Sequence, residues 1–324
     1  MITLDLSRQP HRLPWTRARL EHERSIALRS VLEPASNSSY TSAVHSYLAF
    51  CVAHGFPIDP TPNTLSFFIV YMSSHIQPRS VESYLSGIVN QLESVFPDVR
   101  IARRHKLVAN TLAGCKKLHS HPIRRKRALT RADISHVANH FSPSSDFDDH
   151  LFVCLTLTGF FGLLRVGELV WPDVVAHRDF RKLIARSSVT ITPNAFSFTL
   201  PSHKADRFFE GNTVIIPSTS SDDDPLAPFL RYLKLRDKLF PFHSPLWLRS
   251  DGHPPTRSWF ISRLRAFFPA DIAGHSLRSG GATALAEVGT PLELIQAIGR
   301  WASEAFRIYI RSHHVVLAAS VSCS

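Results

Sequence analysis

The chain has 324 residues, with 37 Lys and Arg against 26 Asp and Glu, and its 44% hydrophobic and 19% charged composition excludes a disordered polypeptide. The net charge of +11 is not spread evenly: between Arg100 and Arg131 lie 11 basic residues and no acidic ones, so the remaining 26 basic and 26 acidic residues cancel. A length suited to two domains of ~100–200 residues, with its whole net charge in one tenth of the chain, fits one local anionic partner, nucleic acid ahead of a membrane surface.

In chain order, residues 1–35 are polar and punctuated by Pro10, Pro14 and Pro34, which predicts a flexible arm. Residues 36–120 predict a helical domain. Its first helix starts near Asn37, carries Tyr40, Val44, Tyr47 and Cys51 at threes and fours, and stops at Gly55. A second helix covers 61–74, with Pro62 in its first turn, and a third covers 78–96 with Tyr84, Leu85, Ile88, Leu92 and Val95. The fourth, 101–118, carries much of the basic cluster. Residues 121–128 predict a basic linker, and 129–324 a second domain opened by Thr130 as an N-cap. That domain has a buried helix over 148–164, then period-two strands at 188–192, 195–200 and 213–217, then helices. The fold class expected is mainly α with a small antiparallel sheet, an all-α module followed by an α+β domain.

Motif classes are excluded in turn. The longest apolar run, residues 151–164, is too short to span a bilayer, so no membrane partner is expected, and the N-terminus lacks the profile of a signal peptide. Cys51, Cys115, Cys154 and Cys323 are scattered without a CxxC pair, against a disulfide framework or zinc site and for a reducing compartment. No phosphate loop, GxGxxG or HExxH occurs, so neither a cofactor nor a metal is expected.

Four places remain where chemistry could reside, and each has a structural explanation of its own. Arg165 closes an apolar helix in GFFGLLRVGEL and must be paired or face a polar cleft; an i+3 ion pair with Glu168 suffices. His275 and Arg278 lie three apart at a helix start, a spacing that offers convergent donors to a phosphate, or simply caps the helix. Trp301 and Tyr309 could be a donor and a nucleophile, or core residues packing with Phe306. Lys204 sits between two predicted strands, where a solvated surface lysine is the usual finding.

Taken together, the order Arg, Lys, His-x-x-Arg, Trp, Tyr resembles that of the tyrosine recombinase (phage integrase) family. LLRVGEL, SHKADRFFEG, HSLRSGGATALAEVG and GRWASEAFRIYIR carry the likeness, over about residues 125–311. The 23-residue interval from Arg278 to Trp301 matches the family pattern; the 8-residue interval to Tyr309 is one shorter than the commonest bacterial spacing. The wording of the last motif is most similar to recombinases of fungal and other eukaryotic mobile elements, the Crypton- and DIRS-like groups. The upstream helices resemble the family's SAM-like core-binding domain.

The resemblance implies site-specific cleavage and rejoining of double-stranded DNA through a 3′-phosphotyrosine link, without metal or ATP, by a homo-tetramer on paired sites. Arg165 and Arg278 would clamp the phosphate, with Glu168 orienting Arg165. His275 would act as base and donor, Trp301 as donor and packing residue, Lys204 as general acid and Tyr309 as nucleophile. Arg103, Arg104, Lys106, Lys116, Lys117, Arg124, Arg125, Lys126 and Arg127 would grip the DNA backbone. The run Arg124–Arg127 also suits a nuclear localisation signal. Two other readings stay open: a catalytically silent DNA-binding descendant, and a type IB topoisomerase.

Overall fold

The computed structural model describes residues 13–29, 31–122, 125–202, 210–219, 221–303 and 306–310. The chain divides into two compact units, Met1–Ile123 and Arg124–Ser324. Among the described residues no helix is long and apolar enough to cross a membrane.

In the first unit, the segment expected to be an arm contains helix α1 (Arg17–Arg29), whose side chains are mostly exposed and which carries an i,i+4 pair between Arg17 and Glu21. Helix α2 (Pro34–His54) begins at a proline and ends where Gly55 takes a left-handed φ of 67°, a conformation that a side chain would oppose. The Thr61 hydroxyl caps α3 (Pro62–Ser73) by accepting from the Thr64 N–H. Helix α4 (Pro78–Leu92) is shorter than the periodicity suggests: Val95 lies beyond it and is 66% exposed. Pro97 follows closely and disfavours helical backbone in the residue before it.

The single fourth helix expected over 101–118 is two, α5 (Val99–Arg104) and α6 (Lys106–His119). His105 breaks them with extended backbone, and its Nδ1 accepts from the Leu107 N–H to start α6. The break lets both pieces bury their apolar residues. Val99, Val108, Leu112 and Cys115 join Tyr47, Phe50, Leu65, Phe68, Leu85 and Ile88 in one core.

The second unit opens with residues 125–129 stitched along it. The Arg127 N–H donates to the Asp271 carbonyl (2.9 Å) and the Leu129 N–H to the Ser276 carbonyl (3.0 Å), so the end of the expected linker is part of this unit. Thr130 and Asp133 cap α7 (Arg131–Phe141) reciprocally, and Asp146 caps α8 (Phe147–Phe161), which is apolar nearly all round and buried. The short α9 (Val166–Leu169) follows.

Strands β1 (Thr190–Thr192), β2 (Ala195–Leu200) and β3 (Asn212–Pro217) form an antiparallel sheet in order β1-β2-β3. Its inner face carries Phe196, Phe198, Leu200, Val214 and Ile216, and Phe196 stacks on Phe229 of α10 (Leu226–Leu239) at 3.8 Å. Helices α11 (Arg257–Phe267), α12 (Gly274–Glu287), α13 (Leu292–Ile298) and α14 (Arg307–Ile310) follow among the described residues. The architecture is mainly α with one small antiparallel sheet.

Candidate active site

Two features of α12 bring distant residues together. Gly280 and Gly281 let its backbone approach neighbours so closely that a Cβ would lie 2.1 Å from the Leu129 carbonyl oxygen and 2.1 Å from that of Phe160. A side chain at Gly280 would push α12 off the segment at Leu129, and one at Gly281 would push it off the C-terminal end of α8. One turn earlier, Arg278 is therefore delivered to the turn that follows α8.

That turn is unusual. Leu163 is left-handed (φ 48°), and Arg165 then takes extended backbone ahead of α9. The Glu168 carboxylate accepts from the Arg165 N–H (2.9 Å) and from Arg165 Nη1 (2.7 Å), so the expected ion pair is present. Arg165 keeps its side chain 27% exposed, whereas Glu168 is 7% exposed.

Arg278 is fully buried. Its Nη1 donates to the Leu163 carbonyl at 2.7 Å and its Nη2 to the Gly299 carbonyl, while Nε has no hydrogen-bond partner among the described residues. Its guanidinium carbon lies 4.2 Å from the centre of the Trp301 ring, a cation–π contact. The Trp301 ring lies over Gly299 and is 5.7 Å from the Tyr309 ring. Trp301, Tyr309, Phe306, Leu163 and Ile310 share one apolar cluster, so the packing role weighed for Trp301 and Tyr309 is real. The Thr283 hydroxyl, on α12, lies 3.3 Å from the Tyr309 carbonyl and ties α14 to the helix that bears Arg278.

Sequence reasoning missed one member of this group. Arg300, 8% exposed and left-handed (φ 54°), donates to the carbonyls of Ile298 (2.9 Å), Gly162 (3.2 Å) and Leu163 (3.2 Å). It stands 3.7 Å from Glu168, and Arg278 stands 4.0 Å from the same oxygen. A turn residue carries no periodic signal; only its place directly before Trp301 in the last motif could have pointed to it.

Three guanidiniums thus surround one carboxylate, a local excess of two positive charges at a mostly buried position. Burial, and then the neighbouring Arg165, push Arg278 down to about 10 from the usual 12.5; Arg300 adds to the depression and Glu168 and Tyr309 oppose it. Burial lowers Arg300 in the same direction, with Glu168 opposing. Excess positive charge at low dielectric is what an incoming anion relieves.

The other expected residues are placed as follows. His275 is exposed on the first turn of α12, one turn before the buried Arg278, and Ser276 Oγ accepts from the Ala273 N–H to cap that helix. Lys204 and Arg124 lie outside the described residues. Of the basic stretch, Arg100 pairs with Glu93, Lys116 with Glu82, Arg127 with Asp133 and Arg131 with Asp223. Lys126 donates to the Ala270 carbonyl at 2.7 Å, and Arg125 reaches the Ile308 carbonyl at 3.5 Å. Arg104, Lys106 and Lys117 are exposed and Arg103 half-buried, and no ion pair holds these four among the described residues. Among the described residues no cluster of three His, Cys, Asp or Glu is placed to hold a metal.

No protein-family model matches the sequence, and no curated protein is similar to it. Solved structures do share its fold. A lambda integrase fragment (residues 75–356), a dimer bound to a COC′ core site, superposes with TM-score 0.58 at 14% identity over 92% of this chain and 96% of that one. XerH site-specific recombinase bound to palindromic difH substrate in a post-cleavage complex gives 0.56 at 15%, over 81% and 72%. Tn1549 transposon integrase (residues 82–397) with circular intermediate DNA gives 0.51 at 16%, over 83% and 86%. The chain therefore shares its fold with these recombinase and integrase structures.

Proposed function

We propose that this protein is a tyrosine recombinase that cuts and rejoins duplex DNA through Tyr309. The observation that carries the reading is the convergence of Arg165, Arg278, Trp301 and Tyr309, up to 144 residues apart in sequence, around one cationic site. In the scheme, the Tyr309 hydroxyl oxygen attacks the scissile phosphorus and gives its proton to His275. The bond from phosphorus to the 5′-oxygen breaks, and Lys204 protonates that leaving oxygen. The 3′-phosphotyrosine link conserves the bond, so a 5′-hydroxyl from a second strand can reverse the step without ATP or a metal.

Arg165, the part-exposed guanidinium, meets the phosphate first; Arg278 neutralises charge that grows on the non-bridging oxygens, with Glu168 holding Arg165 in plane. The Trp301 indole N–H donates to the phosphate as its ring packs the site. The unpaired basic residues grip the DNA backbone. The enzyme works as a homo-tetramer on paired sites and is nuclear, serving a Crypton- or DIRS-like mobile element.

One observation favours a second reading, a silent DNA-binding descendant: Arg278 is wholly buried, with both Nη atoms on carbonyls. A suicide substrate, duplex DNA nicked beside the target site, separates the two. The intact protein is expected to form a covalent adduct that Tyr309→Phe abolishes. Equal adduct in both proteins removes Tyr309 as nucleophile, and binding without any adduct establishes the silent reading.

A further inference from the structure

Leu163 and Arg300 are the two non-glycine residues with left-handed backbone among those described, and the Arg300 side chain joins them through its hydrogen bond to the Leu163 carbonyl. Left-handed backbone suits Gly or Asn at such a turn and disfavours arginine. Burying a guanidinium is a further cost, met here by three carbonyls and the nearby Glu168. Strain of this kind persists where surrounding contacts over-determine it, and it concentrates at working sites.

The contacts of Arg300 and Arg278 interlock. The Leu163 carbonyl accepts from both arginines, and the second acceptor of Arg278 is the carbonyl of Gly299, the residue directly before Arg300. The Arg300 side chain thus shares one acceptor of Arg278, the Leu163 carbonyl, and bonds the Ile298 carbonyl one residue before the other, and both arginines lie within 4.0 Å of one Glu168 oxygen. An ammonium could not replace this guanidinium, because one nitrogen cannot reach the Ile298 carbonyl and the Gly162–Leu163 pair from a single planar group.

We propose that Arg300 is a positioning residue for strand cleavage, holding the Gly162, Leu163 and Ile298 carbonyls so that Arg278 presents a fixed guanidinium beside Trp301 and Tyr309. The inference rests on the recombinase reading above. It is tested with Arg300→Gly, which accepts a φ of 54° and removes only the side chain, and with Arg300→Lys. Arg300→Asn, also tolerant of left-handed backbone, replaces the glycine variant should that one not fold.

In single-turnover cleavage of nicked duplex DNA, the adduct-forming rate constant is expected to fall about tenfold or more in Arg300→Gly, and to stay low in Arg300→Lys. Adduct amplitude and DNA affinity should stay within about twofold of the parent. A parental rate constant in Arg300→Gly overturns the proposal. So does a loss of amplitude at unchanged rate constant, the mark of a merely structural role.

If the parent protein forms no adduct, the recombinase reading fails, and a second measurement decides the positioning alone. In protein labelled with ¹⁵N-arginine, the Arg278 guanidinium protons, assigned through Arg278→Lys, should exchange about tenfold faster in Arg300→Gly. Unchanged exchange overturns the positioning whatever the DNA chemistry does.

Discussion

The molecule holds two concentrations of arginine and lysine that differ in kind. Along residues 100–131 the cations are mostly exposed, and Arg100, Lys116, Arg127 and Arg131 each meet a carboxylate from outside that stretch. Around Glu168 three arginines share one carboxylate, and two of the three are nearly or fully buried. Charge counted along a sequence is thus not charge available to a ligand. The exposed stretch is partly neutralised and screened by water and salt, whereas the buried group keeps an excess that little solvent reaches. The first suits reversible grip on a polyanion; the second suits stabilising charge that appears only during reaction.

The sharpest way to break this contrast is Arg278→Lys. Loss of the planar fork is expected to slow adduct formation by about 10²–10³-fold while DNA affinity changes little. A slowing of less than about threefold, read in single-turnover assays, would show that the buried group is not where the chemistry happens.

Gly299→Ala tests the same region through space. A Cβ there would lie 1.6 Å from the Trp301 ring, so the indole must leave its place over Arg278. Adduct formation should fall about tenfold, with a loss of roughly 1–3 kcal/mol in stability from overpacking. Retention of both would mean that Trp301 does not need its present position.

For the exposed stretch, replacing Arg103, Arg104, Lys106 and Lys117 together by Gln should flatten the salt dependence of DNA binding. The slope of log K against log salt is expected to lose ~0.9 per phosphate contact removed. Gln at Arg100 and Lys116, which already hold carboxylates, should change it much less; equal effects from both sets would erase the distinction between paired and unpaired cations.

The smallest effect concerns Arg127. Burial pulls the Asp133 carboxyl upward, but Arg127 and Thr130 outweigh it and hold the group below its ordinary 3.8. A depressed carboxylate stabilises the fold above pH 3.8 and loses that contribution as pH falls further toward the folded value. Arg127→Gln should cost ~0.5–1 kcal/mol at pH 7 for this half-exposed pair. Urea unfolding should show the deficit shrinking below pH 3.8; a deficit independent of pH would place the effect elsewhere.

Much of the fold was legible because its signals are local. The stop at Gly55, the Thr130–Asp133 cap and the alternating faces of β2 and β3 each depend on residues within a few positions. Two misreadings came where periodicity continued past a backbone event, and a third where the polar, proline-punctuated arm formed helix α1. His105 splits a helix whose apolar spacing runs on through it, and α4 stops short of Val95. Within the site, the Arg165–Glu168 pair was predictable from its i+3 spacing, while the depth difference between His275 and Arg278 was not. Helical spacing fixes direction around an axis and says nothing about what packs over it.

The sequence by itself determined the helical faces, the caps, the small sheet and the order of the chemistry-bearing residues, since these follow from neighbours along the chain. Only the tertiary structure decided which arginines are buried and what holds them. Leu163, Glu168, Arg278, Gly299 and Arg300 meet because Gly280 and Gly281 bring α12 against the end of α8 and because two strained turns face one another there. Burial and shared hydrogen bonds are properties of that meeting, and no one segment contains them.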